Sequence, residues 1–434
     1  MITTVAREGY AEATVAKAIE HAGVSRRTFY DLFEDKQDCF LAGYAQLHQG
    51  LLDAIGVAVR DGEPDRARES TVRAMLDMAA SEPERARILF TEILAGGSAG
   101  LDARERALAG VAAIIEQADN SLPPDARTPD VATTVVIGAV QRLLSRRLRD
   151  QSSKLDGLAG ELTSWLGACG WPRSEHRWSS LRPLTPERRR YAPAATMRPP
   201  ERSDGSGSRR RQKAIIRERI LFATAEAVKE KGYTATSIAD IVKIAGTDHR
   251  AFSAMFDSKE DAYVALHQFG VRRATAATAA GFLSSGSWED RAWEAGRAFN
   301  DFMDVNPLIA HIGFIESYAV GPRAVKPIED ALTSFTMFLR EAQRFKRTDK
   351  PVSSVVIETI SLNNFEMAHQ QTLRGGGTQG LHPHSIFSAF SPFLGPDGAN
   401  RLIDRQLERE AREDEHPVAR RARQRLTRDR GGRP

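Results

Sequence analysis

The chain has 434 residues, 41% of them hydrophobic and 27% charged, with a formal net charge of +4, which is too long for one ordinary domain and has the balance of a globular protein. No stretch approaches the roughly 18 uncharged apolar residues of a membrane span, and MITTVAREGY lacks the basic-then-apolar order of a secretory leader. Residues 171–213 carry twelve basic against four acidic side chains and residues 401–434 eleven against seven, so the rest of the chain is net negative and basicity alone argues little for nucleic acid.

In chain order, Thr14 is positioned to cap a short helix on which Val15 and Ile19 share one face. Ala22-Gly23-Val24 then makes a tight turn, with glycine supplying the backbone freedom. Ser25 caps a second helix with Phe29, Leu32 and Phe33 on one face, Arg27, Tyr30 and Asp31 on the other, and Arg26 and Thr28 on the flanks. Two short helices about a glycine turn, the second presenting Arg, Thr and Tyr outward, describe a DNA-reading helix-turn-helix. Arginine can donate a bidentate pair to guanine and hydroxyls can bond phosphate. Lys36 opens the next helix, where its charge is expected to meet phosphate.

Residues 49–170 continue in helical patterning, as a body to the head at 1–48. Cys39 and Cys169 stand at no metal-ligand spacing and read as buried, reduced thiols suited to the cytoplasm. Residues 171–211, rich in Pro, Ser, Gly and Arg without apolar period, read as a linker.

A second head is expected at 212–270, with an opening helix over Ile215–Lys231 and core positions Ile238, Ile241, Val242, Phe252, Met255 and Phe256. A second body follows at 271–408 and an Arg-rich tail at 409–434. In that body Phe299, Phe302, Met303, Phe314, Tyr318, Phe335, Met337 and Phe338 lie at helical spacing, as core or as the lining of a pocket. Gly375-Gly376-Gly377 reads as a flexible break after a helix and no phosphate loop. His382-Pro383-His384 has no further ligand nearby in sequence and reads as a polar loop, so no metal or other cofactor is expected. No nucleophile elbow or Ser/His/Asp pattern is present, and an enzyme is not expected.

The two halves repeat one another. At a constant offset of 223, Gly9–Tyr44 aligns without a gap on 232–267, with Gly9/Gly232, Tyr10/Tyr233, Gly23/Gly246, Arg27/Arg250, Phe29/Phe252, Phe33/Phe256 and Lys36/Lys259 identical. At offset 224, Pro83, Phe90, Glu92 and Gly97 match Pro307, Phe314, Glu316 and Gly321; at offset 221, VATTVVIGAV resembles VSSVVIETIS. Both heads and bodies are duplicated, which makes the chain all-α in two tandem repeats. Glu92 and Glu316 recur two residues after a Phe in an apolar helix, as a structural hydrogen bond or a ligand anchor.

The run T-V-A-x-x-I-x-x-A-G-V-S-R-R-T-F-Y-x-x-F-x-x-K, Thr14 to Lys36, resembles the DNA-binding signature of the TetR family of bacterial regulators. The resemblance implies a three-helix head on an all-helical body that dimerises and binds a small molecule, releasing a palindromic operator. It implies that Ser25, Arg26, Arg27, Thr28, Tyr30 and Lys36 face double-stranded DNA, with His249, Arg250, Ser253 and Lys259 as second-head counterparts. For the still unknown small-molecule ligand the candidate residues are Glu92, Phe314, Glu316 and Tyr318. The implied function is a cytoplasmic repressor; the competing reading is a ligand or partner sensor whose heads, one or both, no longer read DNA.

Two departures qualify the resemblance. Met1 aligns with Thr224, so the eight residues before Gly9 are too few for the family's opening helix, and the true start is expected upstream of Met1. In the second head Asp248, Ala251, Ser253 and Ala254 replace Ser25, Thr28, Tyr30 and Asp31, which wears away the reading face. Helices over Val131–Leu148 and Leu155–Leu166, with Trp165 and Trp171, and over Val352–Leu373 and Ser385–Leu394 are the expected dimerisation surfaces. They can pair within one chain as a pseudo-dimer, or between chains as a homodimer.

Overall fold

The computed structural model describes residues 1–123, 132–150, 157–169, 208–284, 286–346 and 351–415, with positions 155, 197, 199 and 200 besides. Every regular element among them is helical. The first repeat runs α1 (Ile2–Glu8), α2 (Val15–Ala22), α3 (Arg26–Leu32), α4 (Lys36–Arg60), α5 (Ala67–Ser81), α6 (Pro83–Phe90), α7 (Gly97–Asp119), α8 (Thr133–Arg149) and α9 (Leu158–Cys169). The second begins with α10 (Arg209–Ala235), α11 (Ile238–Ala245), α12 (His249–Ser253), α13 (Lys259–Phe282), α14 (Trp288–Val305) and α15 (Pro307–His311). After a π-helical turn over Ile312–Glu316 come α16 (Ser317–Val320), α17 (Pro322–Ala342), α18 (Ser354–Leu373), α19 (His382–Leu394) and α20 (Pro396–Glu415). Most of the expected linker, Trp171 and the end of the tail lie outside the described residues.

Helix starts follow from local chemistry. Side chains of Thr14, Ser25, Asp35, Ser237, Asp248, Ser258, Ser287 and Ser353 each accept the backbone N–H three residues on, satisfying a donor that the helix itself leaves open. The last helix of each head continues unbroken as the first helix of its body, so the expected boundaries at 48 and 270 fall inside α4 and α13.

The residues before Gly9 form a short helix, α1, of seven residues. Thr4, Val5 and Ala6 of α1 are buried, and α1 packs against α2, α4 and α6. It ends where Gly9 takes φ 86°, as α10 is broken at Gly232 with φ 76°. Upstream of that break α10 extends further than α1 and covers its head: Arg219 donates to the Ala245 carbonyl, and the Arg217 guanidinium lies 5.4 Å from the Phe256 ring. In the first head Ala22 and Leu32, the counterparts of Ala245 and Met255, are exposed, Leu32 at 69%.

The bodies meet through α8 and α18, which run antiparallel: Thr134 meets Gln370, Gly138 meets Glu366, and Arg147 meets Glu358. Both helices are buried around most of their circumference, polar residues included: α8 is buried from Val135 to Ser145, and the buried residues of α18 include Asn363, Glu366 and His369. α9 packs against α18 and α19, with Trp165 fully buried.

At the centre of this contact is a carboxylate with no access to water. Arg104 of α7 donates to both oxygens of Glu366 at 3.0 Å, Arg142 of α8 donates to Oε2, and Gln370 donates to Oε1 at 3.0 Å. The Arg142 guanidinium also lies 4.7 Å from the Phe365 ring centroid and 5.0 Å from that of Tyr318. Burial would raise the Glu366 carboxyl, but the guanidiniums of Arg104 and Arg142 outweigh it and hold it below the usual carboxylate range. Further out, Arg146 and Arg147 pair with Glu358 and Arg149 with Glu329.

Removing one member of a buried ion cluster leaves the others charged and uncompensated. Glu366→Gln is expected to destabilise the chain by about 3–5 kcal/mol, read as a lower urea midpoint by circular dichroism, whereas replacing Arg104, Arg142 and Glu366 together by apolar residues of similar volume recovers most of that loss. A Cβ on Gly138 would stand 2.6 Å from the Glu366 carboxylate. Gly138→Ala is therefore expected to cost about 1–3 kcal/mol by overpacking, in the same measurement; an unchanged midpoint would contradict the close approach.

Candidate DNA-reading heads and the buried cavity

In the first head Gly23 adopts the left-handed conformation at φ 64°, closing α2 and turning the chain into α3. Ser25 caps α3 by accepting the Thr28 N–H at 3.0 Å, and Phe29 is buried against the head. The opposite face carries Arg26, Arg27, Thr28 and Tyr30, all exposed, with Tyr30 at 55%. Arg26 and Arg27 form no ion pair among the described residues. Two uncommitted guanidiniums and a phenol on one rigid, capped helix can donate to base edges and to phosphate.

The second head repeats this frame with different chemistry. Ser237 and Asp240 form a reciprocal capping box at the start of α11, and Gly246 makes the turn at φ 59°. Asp248 caps α12 through the Ala251 N–H at 2.7 Å, and His249, Arg250 and Ser253 are exposed. α12 has five residues where α3 has seven. Its leading side chain is a carboxylate, which phosphate repels.

The structure puts Lys36 and Lys259 elsewhere than expected. Lys36 Nζ donates to the Tyr10 carbonyl at 3.0 Å and lies 4.3 Å from the centroid of that ring. Lys259 donates to the Tyr233 and Thr236 carbonyls at 2.8 and 2.7 Å and lies 4.2 Å from the Tyr233 ring. Burial lowers both ammonium groups from the ordinary lysine value, with Glu12 opposing it at Lys36. Each lysine fastens the turn between the opening helix and the helix-turn-helix.

Glu92 and Glu316 complete the same joint from the body. Glu92 accepts the Tyr10 N–H at 2.8 Å and the Arg87 Nε–H at 3.1 Å; Glu316 accepts the Tyr233 N–H at 3.1 Å and faces His311 at 3.3 Å. Of the two roles open to these carboxylates, the structure has them tether head to body, away from the cavity of the second body.

That cavity has a volume of about 210 Å³ and lies among α13, α14, α17, α18 and α19. Phe299, Met303, Phe314, Phe335 and Phe338 line it. Phe302 is in the core, Tyr318 faces Arg142, and Met337 is 68% exposed. Among the described residues no Asp, Glu, Lys or Arg borders the space. Phe314 sits on the π-helical turn whose last residue is Glu316, so one turn touches both the cavity and the head joint.

His382 is not in a polar loop. It opens α19, is 5% exposed, and stands edge-on to Trp293 with centroids 4.3 Å apart. Gly296 makes room for it, since a Cβ there would approach the imidazole to 2.9 Å. Sequence reasoning also passed over Arg104, Arg142 and Glu366, although a lone charge within VVIGAVQRLL or LNNFEMAH was a signal that could have been followed.

Among the described residues no helix is long and apolar enough to cross a membrane. A family model, that of bacterial regulatory proteins of the tetR family, matches residues 4–42 and 220–266. Comparison with curated protein sequences gives no match. Among solved structures the chain is similar to a fatty acid degradation regulator, FadR, from Bacillus halodurans, at 15% identity and a TM-score of 0.36, over 41% of this chain and 98% of that one. It is likewise similar to the transcriptional regulator FadR from Bacillus subtilis, solved in complex with stearoyl-CoA, at 13% identity and a TM-score of 0.36, over 41% and 97%. With one match on each repeat, the chain carries two TetR-type heads in tandem.

Proposed function

We propose that the protein is a cytoplasmic transcription repressor in which the first head supplies most of the sequence reading and a small molecule in the second body releases the DNA. The observation that carries this reading is the exposed set Arg26, Arg27, Thr28 and Tyr30 on capped α3. The proposed division is into heads 1–48 and 212–270, bodies 49–170 and 271–408, a linker and a tail.

We further propose that the working unit is a single chain folded as a pseudo-dimer on an asymmetric operator. Charge supports it: α8 carries four arginines and no acid, whereas α18 carries Glu358 and Glu366 and no Lys or Arg. Like paired with like would oppose arginines to arginines and leave the glutamates without cations. A second reading, that the second head is a partner-binding or sensing element, is favoured by its shortened α12 and by Asp248.

Selection of bound genomic fragments tests the DNA function. Arg27→Ala with Tyr30→Ala is expected to weaken specific binding at least roughly tenfold, since one good base contact contributes about 1–3 kcal/mol, while Arg250→Ala costs less. Binding that is salt-sensitive but sequence-independent in the parent chain would overturn the proposal. Light scattering should give the mass of one chain, free and on a single operator; a mass of two chains would reject the pseudo-dimer.

A further inference from the structure

The cavity of the second body is apolar almost throughout, and most of the polar groups on its wall are already satisfied by the protein. Thr278 donates to the Ala274 carbonyl at 2.9 Å, Ser334 to Asp330 O at 2.8 Å, and Ser361 to Ile357 O at 3.3 Å. Asn300 donates to the Gly296 carbonyl at 2.9 Å, His267 Nδ1 pairs with Ala324 O at 3.0 Å, and Ser385 points at the Met367 sulfur at 3.6 Å.

Two cavity groups differ. Apart from a contact to the Trp293 backbone, the ring nitrogens of His382 have no hydrogen-bond partner in the protein, and the Asn364 Oδ1 is buried without a donor. Leaving such groups unmade costs stability that an apolar side chain would avoid. Burial, reinforced by Arg297, pushes the His382 pKa down to about 3, with a contact to the Trp293 backbone opposing both. The imidazole is thus neutral at physiological pH and presents one N–H donor and one lone pair.

We infer that this cavity binds an uncharged, largely aromatic molecule carrying one hydroxyl-type group, with His382 and Asn364 as its polar anchors. A hydroxyl both donates and accepts, so it can satisfy the carboxamide oxygen and an imidazole nitrogen together. With no charged side chain on the wall among the described residues, a carboxylate or ammonium would be buried uncompensated. Size sets the scale: an apolar cavity of roughly 150 Å³ holds a benzene ring, so about 210 Å³ suits a molecule of one to two fused rings. This rests on the proposal that the second body is the effector site.

Calorimetric titration of the full chain with 2-naphthol, naphthalene and 2-naphthoate tests the assignment. The expected order is 2-naphthol at least tenfold tighter than naphthalene, with 2-naphthoate at least a hundredfold weaker than 2-naphthol. In the double variant His382→Phe, Asn364→Leu the hydroxyl advantage should fall to within about threefold, while retained naphthalene binding shows that the cavity still forms. Naphthoate binding as tightly as naphthol, a hydroxyl advantage that survives the double variant, or no binding by any of the three would each overturn the inference. Naphthol that binds as expected yet leaves operator binding unchanged would instead overturn the effector reading and leave the binding assignment standing.

Discussion

A carboxylate cut off from water has to be answered by charge, and Glu366 is answered from the other repeat. Arg104 and Arg142 both donate to it, and Gly138 leaves it room, since a Cβ there would overlap the carboxylate. The position of α18, and with it the wall of the cavity and the seat of α17, follows from that meeting. At offset 221 the counterpart of Glu366 is Ser145 and that of Arg142 is Asn363. The duplicated helices have therefore diverged into complementary partners, and the buried cluster sets register and choice of partner more than it adds stability.

The joint between head and body is the opposite case, held nearly fixed in both repeats. A glycine at positive φ, a tyrosine, an inward-turned lysine and a body glutamate recur at equivalent positions; the glutamate meets Arg87 in one and His311 in the other, and Lys259 gains a second carbonyl, that of Thr236. In the second repeat the glutamate ends the π-helical turn that carries Phe314 into the cavity. Helical turns of this kind depart from regular i→i+4 bonding and recur at functional sites. A change of packing at Phe314 is thus one short turn away from the backbone that orients the second head.

Much of this was legible in the sequence because it is local. Caps at Thr14, Ser25 and Asp248, the turn glycines and the alternation of buried Phe29 with exposed Arg27 and Tyr30 depend on neighbours a few residues away. The internal repeat exposed the duplication, and the helices expected to pair do so as α8, α9, α18 and α19. What escaped was decided across the repeats or by small competitions for a donor. Lys36 and Lys259 sit where a phosphate contact is reasonable, but a nearby carbonyl and an aromatic face capture them. Glu366 looks like an exposed residue of a helix until the arginines from the other half surround it. His382, read from its flanking proline and histidine as a polar loop, is drawn inward by Trp293 and the space at Gly296.

The meeting of α8 and α18 within one chain also changes how the molecule responds to dilution. Two separate subunits associate by mass action, so halving their concentration lowers the fraction assembled. Here the partner surface is carried on the same backbone, and its effective concentration is set by the length of the connection rather than by abundance. Under the proposed single-chain unit, the paired bodies stay paired on dilution, and occupancy of a DNA site rises with the first power of chain number instead of its square.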